Sequence, residues 1–224
     1  MDRATLLAEL ETARQRTRAL ITSLPEDKLD VPYHPGVNPP LWEMGHAAFF
    51  YEVFVFNLLD GTTSYDPAMD ELWDSFHIDH KDRWRRDLFP GREETLAYFD
   101  TIYDRVAARI KTKTLTDREL YLYRYSIFHQ NMHIESIIWC RQTIGYPAVP
   151  DFQPERVAPG EPGNDQTRAD AVIPAGRWLI GMPGESEAFA HEDFAFDNEK
   201  PRFEIELPAF AISRLPVSNR EFMA

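Results

Sequence analysis

The chain has a single cysteine, Cys140, among its 224 residues. One thiol cannot form an internal disulfide, so a secreted fold held together by disulfide bonds is excluded and a reducing cytosol is expected. No apolar run approaches the roughly 20 residues of a membrane-spanning helix, and the charged first turns lack the apolar core of a signal peptide. We therefore expect a soluble, cytoplasmic protein.

Positive charge is also scarce. The chain has 24 Lys and Arg against 37 Asp and Glu, which gives a formal net charge of −13. Nucleic acids and anionic membrane surfaces would repel such a protein, so both are excluded as partners. Small molecules or other proteins are the expected partners. The hydrophobic fraction of 43% is that of a globular protein with a core.

Four segments have apolar residues at the three- and four-residue spacing of helices. Asp2 is the expected cap of the first helix, and Asn38 is the expected cap of the second, with Pro39 at its first position. Gly145 is expected to end the fourth. These segments predict a four-helix bundle, and they cover approximately residues 4–24, 38–59, 92–111 and 116–144.

The composition changes after the fourth helix. Residues 148–169 are rich in proline and glycine and predict a linker. Residues 170–224 contain short apolar or alternating segments separated by turn residues, which predict strands. We therefore expect an α+β protein, with a helical bundle in 1–147 and an incomplete β-rich domain in 170–224.

Three histidines lie in segments that are otherwise largely apolar. His129 and His133, in FHQNMHIE, are four residues apart and share one helix face, with Cβ atoms about 5–6 Å apart. His46, in LWEMGHAAFF, needs a polar partner there. Three imidazoles from two facing helices can hold one cation and leave its other side open to water, substrate or oxygen. The alternative is that they are ordinary hydrogen-bonded histidines.

The neighbours of these histidines narrow the chemistry. Gln130 follows His129 where zinc proteases of the HExxH type have a catalytic glutamate, so protease chemistry is disfavoured. A coordinating imidazole needs an acceptor for its second nitrogen. The candidate partners within a turn or two are Glu43, Glu52, Tyr125 and Glu135.

A long polar and aromatic loop, residues 62–91, separates the second and third helices. Loops of this length in compact domains are usually functional or disordered, and the aromatic residues argue against disorder. His80, Arg83 and Trp84 in this loop are candidate substrate-binding residues, since arginine recognises carboxylates. The alternative is a solvated charged loop.

These motifs resemble those of the ergothioneine-type synthases, non-heme iron enzymes with a DinB-like four-helix domain and a formylglycine-generating-enzyme-like domain. In that family a W-x-x-G-H segment and an HxxxH pair supply three histidine ligands, matched here by WEMGH with His46 and by His129 and His133. The segments IPAGRWLIGM, FAFDNEKPRFEIELPAFAIS and PVSNREFMA are similar to the start of the second domain, also called sulfatase-modifying-factor-like.

The resemblance implies Fe(II) on the three histidines, and hercynine, O₂ and a thiol or selenium donor as substrates. The donor is joined to the imidazole carbon, giving a sulfoxide or its selenium counterpart. LWDSFHIDHKDRW and MHIESIIWCRQTIGYPAVP are more similar to the branch associated with selenoneine. Trp42, Phe49 or Tyr51 could face the quaternary ammonium of hercynine.

Two departures from the family pattern bear on this expectation. Met132 stands where several members have glutamine, and the catalytic tyrosine of the family is expected beyond Ala224. A separately encoded C-terminal remainder would supply the missing part. The alternatives are a DinB-type metal-dependent thiol transferase and a truncated, non-catalytic metal-binding module.

Overall fold

The computed structural model describes residues 1–147, 149, 169–184 and 194–223. The chain divides into two compact units, Met1–Gln153 and Pro154–Ala224. Most of the predicted linker, 148–169, lies outside the described residues, so its nature stays a prediction.

The first unit is a bundle of four long helices. The second helix continues through a π-helical segment, Glu52–Asn57, and a last turn, Leu58–Asp60. The bounds of the four are α1 Arg3–Thr22, α2 Pro40–Tyr51, α3 Arg92–Thr112 and α4 Asp117–Thr143.

Local side-chain chemistry explains where three of these helix ends lie. Asp2 caps α1 by accepting a hydrogen bond from the Thr5 amide at 2.8 Å. Thr116 and Glu119 form a capping box at the start of α4. Gly145 follows α4 with φ +72°, a left-handed conformation that suits glycine.

The start of α2 differs from the prediction. Pro39 is the cap residue and Pro40 is the first helical residue, so the prediction that Asn38 caps this helix is wrong. The reason is the Pro-Pro pair, because a residue before proline is pushed out of the helical region, and Pro39 is extended with ψ 134°. The Asn38 side chain is therefore available for other contacts.

The core of the bundle lies between pairs of helices, α1 with α4 and α2 with α3, and α2 also packs on α4. Burying each large apolar side chain contributes about 1.5–3 kcal/mol to stability. Representative fully buried members are Leu6, Leu20, Met44, Tyr51, Phe99, Ile102, Val106 and Ile137.

The loop 62–91 is ordered by short helical turns and by contacts with the bundle. The turns are Pro67–Met69, Asp70–Trp73 and His80–Trp84. Glu52, the first residue of the π-helical segment, accepts hydrogen bonds from the Tyr65 amide at 2.5 Å and from the Tyr98 hydroxyl at 2.6 Å, which fixes the start of the loop. Trp73 is only 2% exposed. The loop therefore packs as part of the folded unit.

Within residues 169–184 and 194–223, the second unit has four short strands, paired antiparallel in two ladders. Strand β1, Asp170–Ile173, pairs with β4, Phe210–Ser213, and β2, Gly176–Ile180, pairs with β3, Phe203–Leu207. Together with the helical unit, these strands confirm the prediction of an α+β protein. None of the described helices is both long enough and apolar enough to cross a bilayer.

Candidate metal centre

Three imidazoles from two helices meet in the bundle. His46 comes from α2, and His129 and His133 come from α4 one turn apart. One nitrogen of each ring lies within 4.8 Å of a nitrogen of the other two. The ring centroids are 4.7 Å apart for His46 and His133 and 5.2 Å for His46 and His129. This is a cluster of the kind that can hold one metal ion.

The spacing of two ring nitrogens suits a shared cation. The Nε2 atoms of His129 and His133 are 3.0 Å apart. Two imidazole nitrogens that each bind one ion at about 2.1 Å and at right angles would lie about 3.0 Å apart. Two lone pairs at this distance repel each other unless a proton or a cation lies between them. The geometry therefore fits two adjacent ligands of one ion.

His46 is held with its second nitrogen turned away from the cluster. Its Nδ1–H donates to the backbone carbonyl of Trp73 at 2.6 Å, which leaves Nε2 for a metal. The ring also stacks on Trp42, with 4.8 Å between centroids and 10° between planes. Gly45 allows Trp73 to lie close to α2, because a Cβ at residue 45 would lie 2.4 Å from the Trp73 ring.

His133 is oriented by a buried carboxylate. Its Nδ1–H donates to Oε2 of Glu43, which is 0% exposed. The Nε2 atom on the opposite side of the ring points toward His129. Glu43 is thus the acceptor that a metal-binding imidazole requires.

His129 is positioned by packing. Its ring stacks on Phe50, with 3.6 Å between centroids and 12° between planes. Its Nδ1 atom is buried and has no hydrogen-bond partner within the described part of the chain. The three rings therefore differ in support: a backbone carbonyl for His46, a carboxylate for His133 and an aromatic face for His129.

Burial keeps two of these imidazoles neutral. Burial, followed by the nearby His133, lowers the pKa of His46 to about 4. Burial, followed by His133 and then His46, lowers the pKa of His129 far below its ordinary range. A neutral imidazole has the free lone pair that a metal ion binds. Neutral nitrogen ligands in a buried setting suit a borderline divalent ion such as Fe(II), Zn(II) or Ni(II).

Residues 9–137, more than half of the chain, match the family model described as the DinB superfamily, and all three histidines lie inside this match. The chain belongs to the DinB superfamily. This DinB bundle is the unit that brings the histidines together.

Curated relatives extend the similarity beyond the DinB bundle. The chain is 27% identical over 224 residues to the hercynine oxygenase of Mycolicibacterium smegmatis. This alignment covers 98% of the chain and 49% of that protein. It is 25% identical over 225 residues to the hercynine oxygenase of Mycolicibacterium thermoresistibile, covering 99% and 48%. It is 26% identical over 235 residues to the hercynine oxygenase of Mycobacterium tuberculosis, and this alignment covers 97% of the chain and 49% of that protein. The chain thus spans about half the length of these relatives, and the resemblance inferred from the motifs is confirmed.

The three loop residues predicted to bind substrate lie together but face mainly protein. Nε2 of His80 contacts the Val37 carbonyl at 2.9 Å, and the Trp84 indole N–H donates to the Val31 carbonyl at 2.9 Å. Arg83 lies over the Trp42 ring at 4.0 Å. Substrate binding by His80, Arg83 and Trp84 stays a prediction.

Of the four candidate partners for the histidines, Glu43 is the one for which the described residues show a hydrogen bond to a histidine. Glu52 bonds to the 62–91 loop and Tyr98. Tyr125 packs on Phe50 and Phe54, and Glu135 is exposed.

Trp42, Phe49 and Tyr51 were the residues expected to offer an aromatic face to the quaternary ammonium of hercynine. Phe49 and Tyr51 are buried in hydrophobic clusters, and Trp42 lies between His46 and Arg83, so none of the three has a free face for a quaternary ammonium. That expectation is wrong. Phe50, which stacks on His129, was missed, although its position four residues after His46 on a helix was a usable signal.

Proposed function

We propose that this chain carries the three-histidine metal centre of an Fe(II)- and O₂-dependent enzyme. The enzyme joins sulfur or selenium to hercynine in ergothioneine or selenoneine biosynthesis. The observation that carries the proposal is the convergence of His46, His129 and His133 in a chain whose curated relatives are hercynine oxygenases.

Three histidines of the bundle are suited to hold Fe(II). His46, His129 and His133 would hold Fe(II) through their Nε2 atoms. Bound Fe(II) would supply the redox chemistry by which O₂ is activated. The second nitrogens of His46 and His133 already have acceptors, so two of the three ligands are oriented before metal binds.

The reach of the alignments favours this activity over a DinB-type thiol transferase. The DinB match ends at residue 137, whereas the hercynine oxygenases align over 97–99% of the chain. The relatives therefore share the segment that follows the bundle, which we propose is the start of a formylglycine-generating-enzyme-like domain. A bundle-only transferase would not account for that similarity.

We propose that part of the activity depends on sequence that the longer relatives have in addition. The chain spans about half the length of the hercynine oxygenases it matches. We propose that the catalytic tyrosine and much of the hercynine pocket come from a C-terminal remainder. Arg83 is the candidate in this chain for the donor's carboxylate or sugar hydroxyls, because its guanidinium lies within the loop that borders Trp42 and His46.

The test measures metal binding and product formation separately. Anaerobic Fe(II) titration should give one equivalent bound by the wild type, and loss of that equivalent in His46→Ala, His129→Ala and His133→Ala. His77→Ala is the matched control, since His77 lies outside the cluster and contacts Asp74. Retention of full stoichiometry by all three cluster variants would contradict the metal centre.

Product formation is then assayed with hercynine and O₂ and, in parallel, cysteine, γ-glutamylcysteine or a selenosugar. The chain is tested alone and with its C-terminal remainder. A hercynine adduct that requires the three histidines is expected, and the donor that gives it identifies the sulfur or selenium branch. Full Fe(II) binding with no adduct in either form would contradict the activity while leaving the metal centre standing.

A further inference from the structure

We infer that Glu43 is a positioning residue for His133, and that Asn38 and Ser136 hold the Glu43 carboxylate in place for that task. The inference rests on the proposed metal centre. In this arrangement Glu43, Asn38 and Ser136 do not bind the metal, but together they set the orientation and charge of one ligand, His133.

Glu43 lies where the fold alone gives no reason for a charge. It is 0% exposed, in a helix whose residues from Pro40 to Phe49 are all buried. An uncompensated carboxylate in such a place is strongly unfavourable, and a well-packed apolar residue is often at least as stabilising as a buried ionic group. The carboxylate therefore needs a function that an apolar side chain could not supply.

All the contacts of this carboxylate come from donors that fix its orientation. Oε1 accepts from the Ser136 hydroxyl at 2.5 Å and from Nδ2 of Asn38 at 2.9 Å. Oε2 accepts from Nδ1–H of His133. One oxygen of the carboxylate is thus committed to His133, and the other is held by Asn38 and Ser136.

The arrangement excludes Glu43 as a direct metal ligand. Its Oε2 contacts Nδ1 of His133, whereas the nitrogens that converge on the candidate ion are the Nε2 atoms on the far side of the ring. The carboxylate can therefore act on the metal only through the imidazole. In that position it selects the tautomer with hydrogen on Nδ1 and increases the electron density that Nε2 offers to a cation.

A second tier of contacts fixes Asn38. Its Oδ1 accepts from Nη1 of Arg83 at 2.9 Å, so its Nδ2 must face Glu43. Arg83 is itself held by the Ser75 carbonyl at 3.2 Å. A continuous path of hydrogen bonds therefore joins Arg83, in the 62–91 loop, to His133. Rotation of the Asn38 amide would place like groups against each other at both ends, so the path supports one orientation only.

The three candidate ligands differ in the partner that their second ring nitrogen has. His46 has a neutral carbonyl as its acceptor and His129 has none among the described residues, so His133 is the ligand with a charged partner. Loss of an acceptor behind a metal-binding histidine typically lowers metal affinity about 10–100-fold. Removal of the Glu43 charge should therefore weaken binding through His133 while the three imidazoles are retained.

The experiment compares Glu43→Gln with Glu135→Gln. Both substitutions remove one carboxylate charge, but Glu135 is exposed on α4, and the described residues show no hydrogen bond from it to a candidate ligand. Co(II) serves as a spectroscopic substitute for Fe(II). We expect Glu43→Gln to raise the Co(II) Kd about 10–100-fold and to shift the visible absorption bands of bound Co(II). Glu135→Gln should leave the Kd within about twofold and the bands unchanged, as for a surface charge.

Two further measurements separate positioning from folding. Asn38→Ala and Ser136→Ala each remove one donor and keep the carboxylate, so each should weaken Co(II) binding less than Glu43→Gln does. Nitrogen-15 NMR of the metal-free protein should show the Nδ1–H tautomer of His133 in the wild type and its loss or exchange in Glu43→Gln. Circular dichroism confirms that each variant is folded, and Asn38→Ala and Ser136→Ala provide the test if Glu43→Gln does not fold.

The outcomes distinguish this inference from the proposal beneath it. A wild type that binds neither Co(II) nor Fe(II) contradicts the metal centre itself. A wild type that binds, with Glu43→Gln or the two donor variants giving the same Kd, absorption bands and His133 tautomer as the wild type, contradicts the positioning role alone.

Discussion

His46 and Trp73 are linked by a hydrogen bond from the imidazole Nδ1–H to the Trp73 backbone carbonyl, with 2.6 Å between the heavy atoms. The two residues are 27 positions apart, on α2 and in the 62–91 loop. Through this bond the 62–91 loop sets the tautomer of His46, a candidate metal ligand. The loop is therefore more than a connection between two helices. Gly45 permits the contact because it leaves room for the Trp73 ring.

The first prediction concerns Gly45→Ala. The new methyl group would lie 2.4–2.7 Å from three atoms of the Trp73 ring, so the ring and its carbonyl must shift. We expect a loss of about 1–3 kcal/mol in unfolding free energy, typical of overpacking, and weaker Fe(II) binding because His46 loses its acceptor. Denaturant unfolding and Fe(II) titration measure the two effects.

Gly91→Ala is the control for this change. A Cβ at Gly91 meets nothing within 4 Å, and the residue caps α3 with a negative φ of −72°. Its loss of stability should stay below about 1 kcal/mol, and its metal binding should be unchanged. Equal behaviour of the two variants would show that the Trp73 contact does not matter to His46.

The second prediction concerns Phe50→Ala. Phe50 stacks on His129, whose Nδ1 has no partner among the described residues, so packing is what holds this ring. We expect Fe(II) affinity to fall by about tenfold as His129 gains rotational freedom. Phe54→Ala is the matched control, because Phe54 stacks on Phe50 and contacts Tyr125 but not a histidine. A larger loss of affinity in Phe54→Ala than in Phe50→Ala would contradict this role.

The third prediction concerns the stability of the bundle away from the metal centre. Asp60 accepts two hydrogen bonds from the buried Arg109, at 2.8 Å each. We expect Asp60→Asn to lower the unfolding free energy at pH 7 by about 1 kcal/mol, reduced by the partial exposure of Asp60 to solvent. Asp104→Asn, at an exposed ion pair with Arg14, should cost less than about 0.5 kcal/mol.

The same variant has a defined pH dependence. The hydrogen bonds from Arg109 hold the pKa of Asp60 below its ordinary value of 3.8. A carboxyl with a lowered pKa in the folded state stabilises the protein fully above its unfolded pKa and loses that contribution as pH falls through its folded pKa. The difference between wild type and Asp60→Asn should therefore be constant near neutrality and shrink below about pH 4. A difference that grows on acidification would contradict the assignment.

Residue periodicity and end signals were enough to predict the bundle. Asp2 caps α1 as expected, α4 starts at Asp117 close to the predicted start, and Gly145 follows the end of α4. The π-helical segment Glu52–Asn57 was not foreseen, because one additional residue in a turn leaves the apolar pattern of a buried helix almost unchanged. The Asn38 cap was wrong because the Pro-Pro pair overrides the usual preference for asparagine.

The candidate site was predictable in its side chains but not in its supports. An imidazole in an apolar helix signals a polar partner, and this is why His46, His129 and His133 could be grouped before any coordinates. The Trp73 carbonyl carries no such signal, since every residue has one and only the tertiary fold selects it. Glu43 was among several candidates, and the packing of α2 against α4 brings it to His133, whereas Glu135 is exposed on α4.

Anomalous diffraction at the iron edge, from crystals of the Fe(II)-loaded protein grown without oxygen, would locate the metal ion itself. We expect one anomalous peak within bonding distance of Nε2 of His46, His129 and His133, and no peak there in His46→Ala. Iron bound elsewhere in the protein, or a peak that contacts fewer than three of these nitrogens in the wild type, would contradict this expectation.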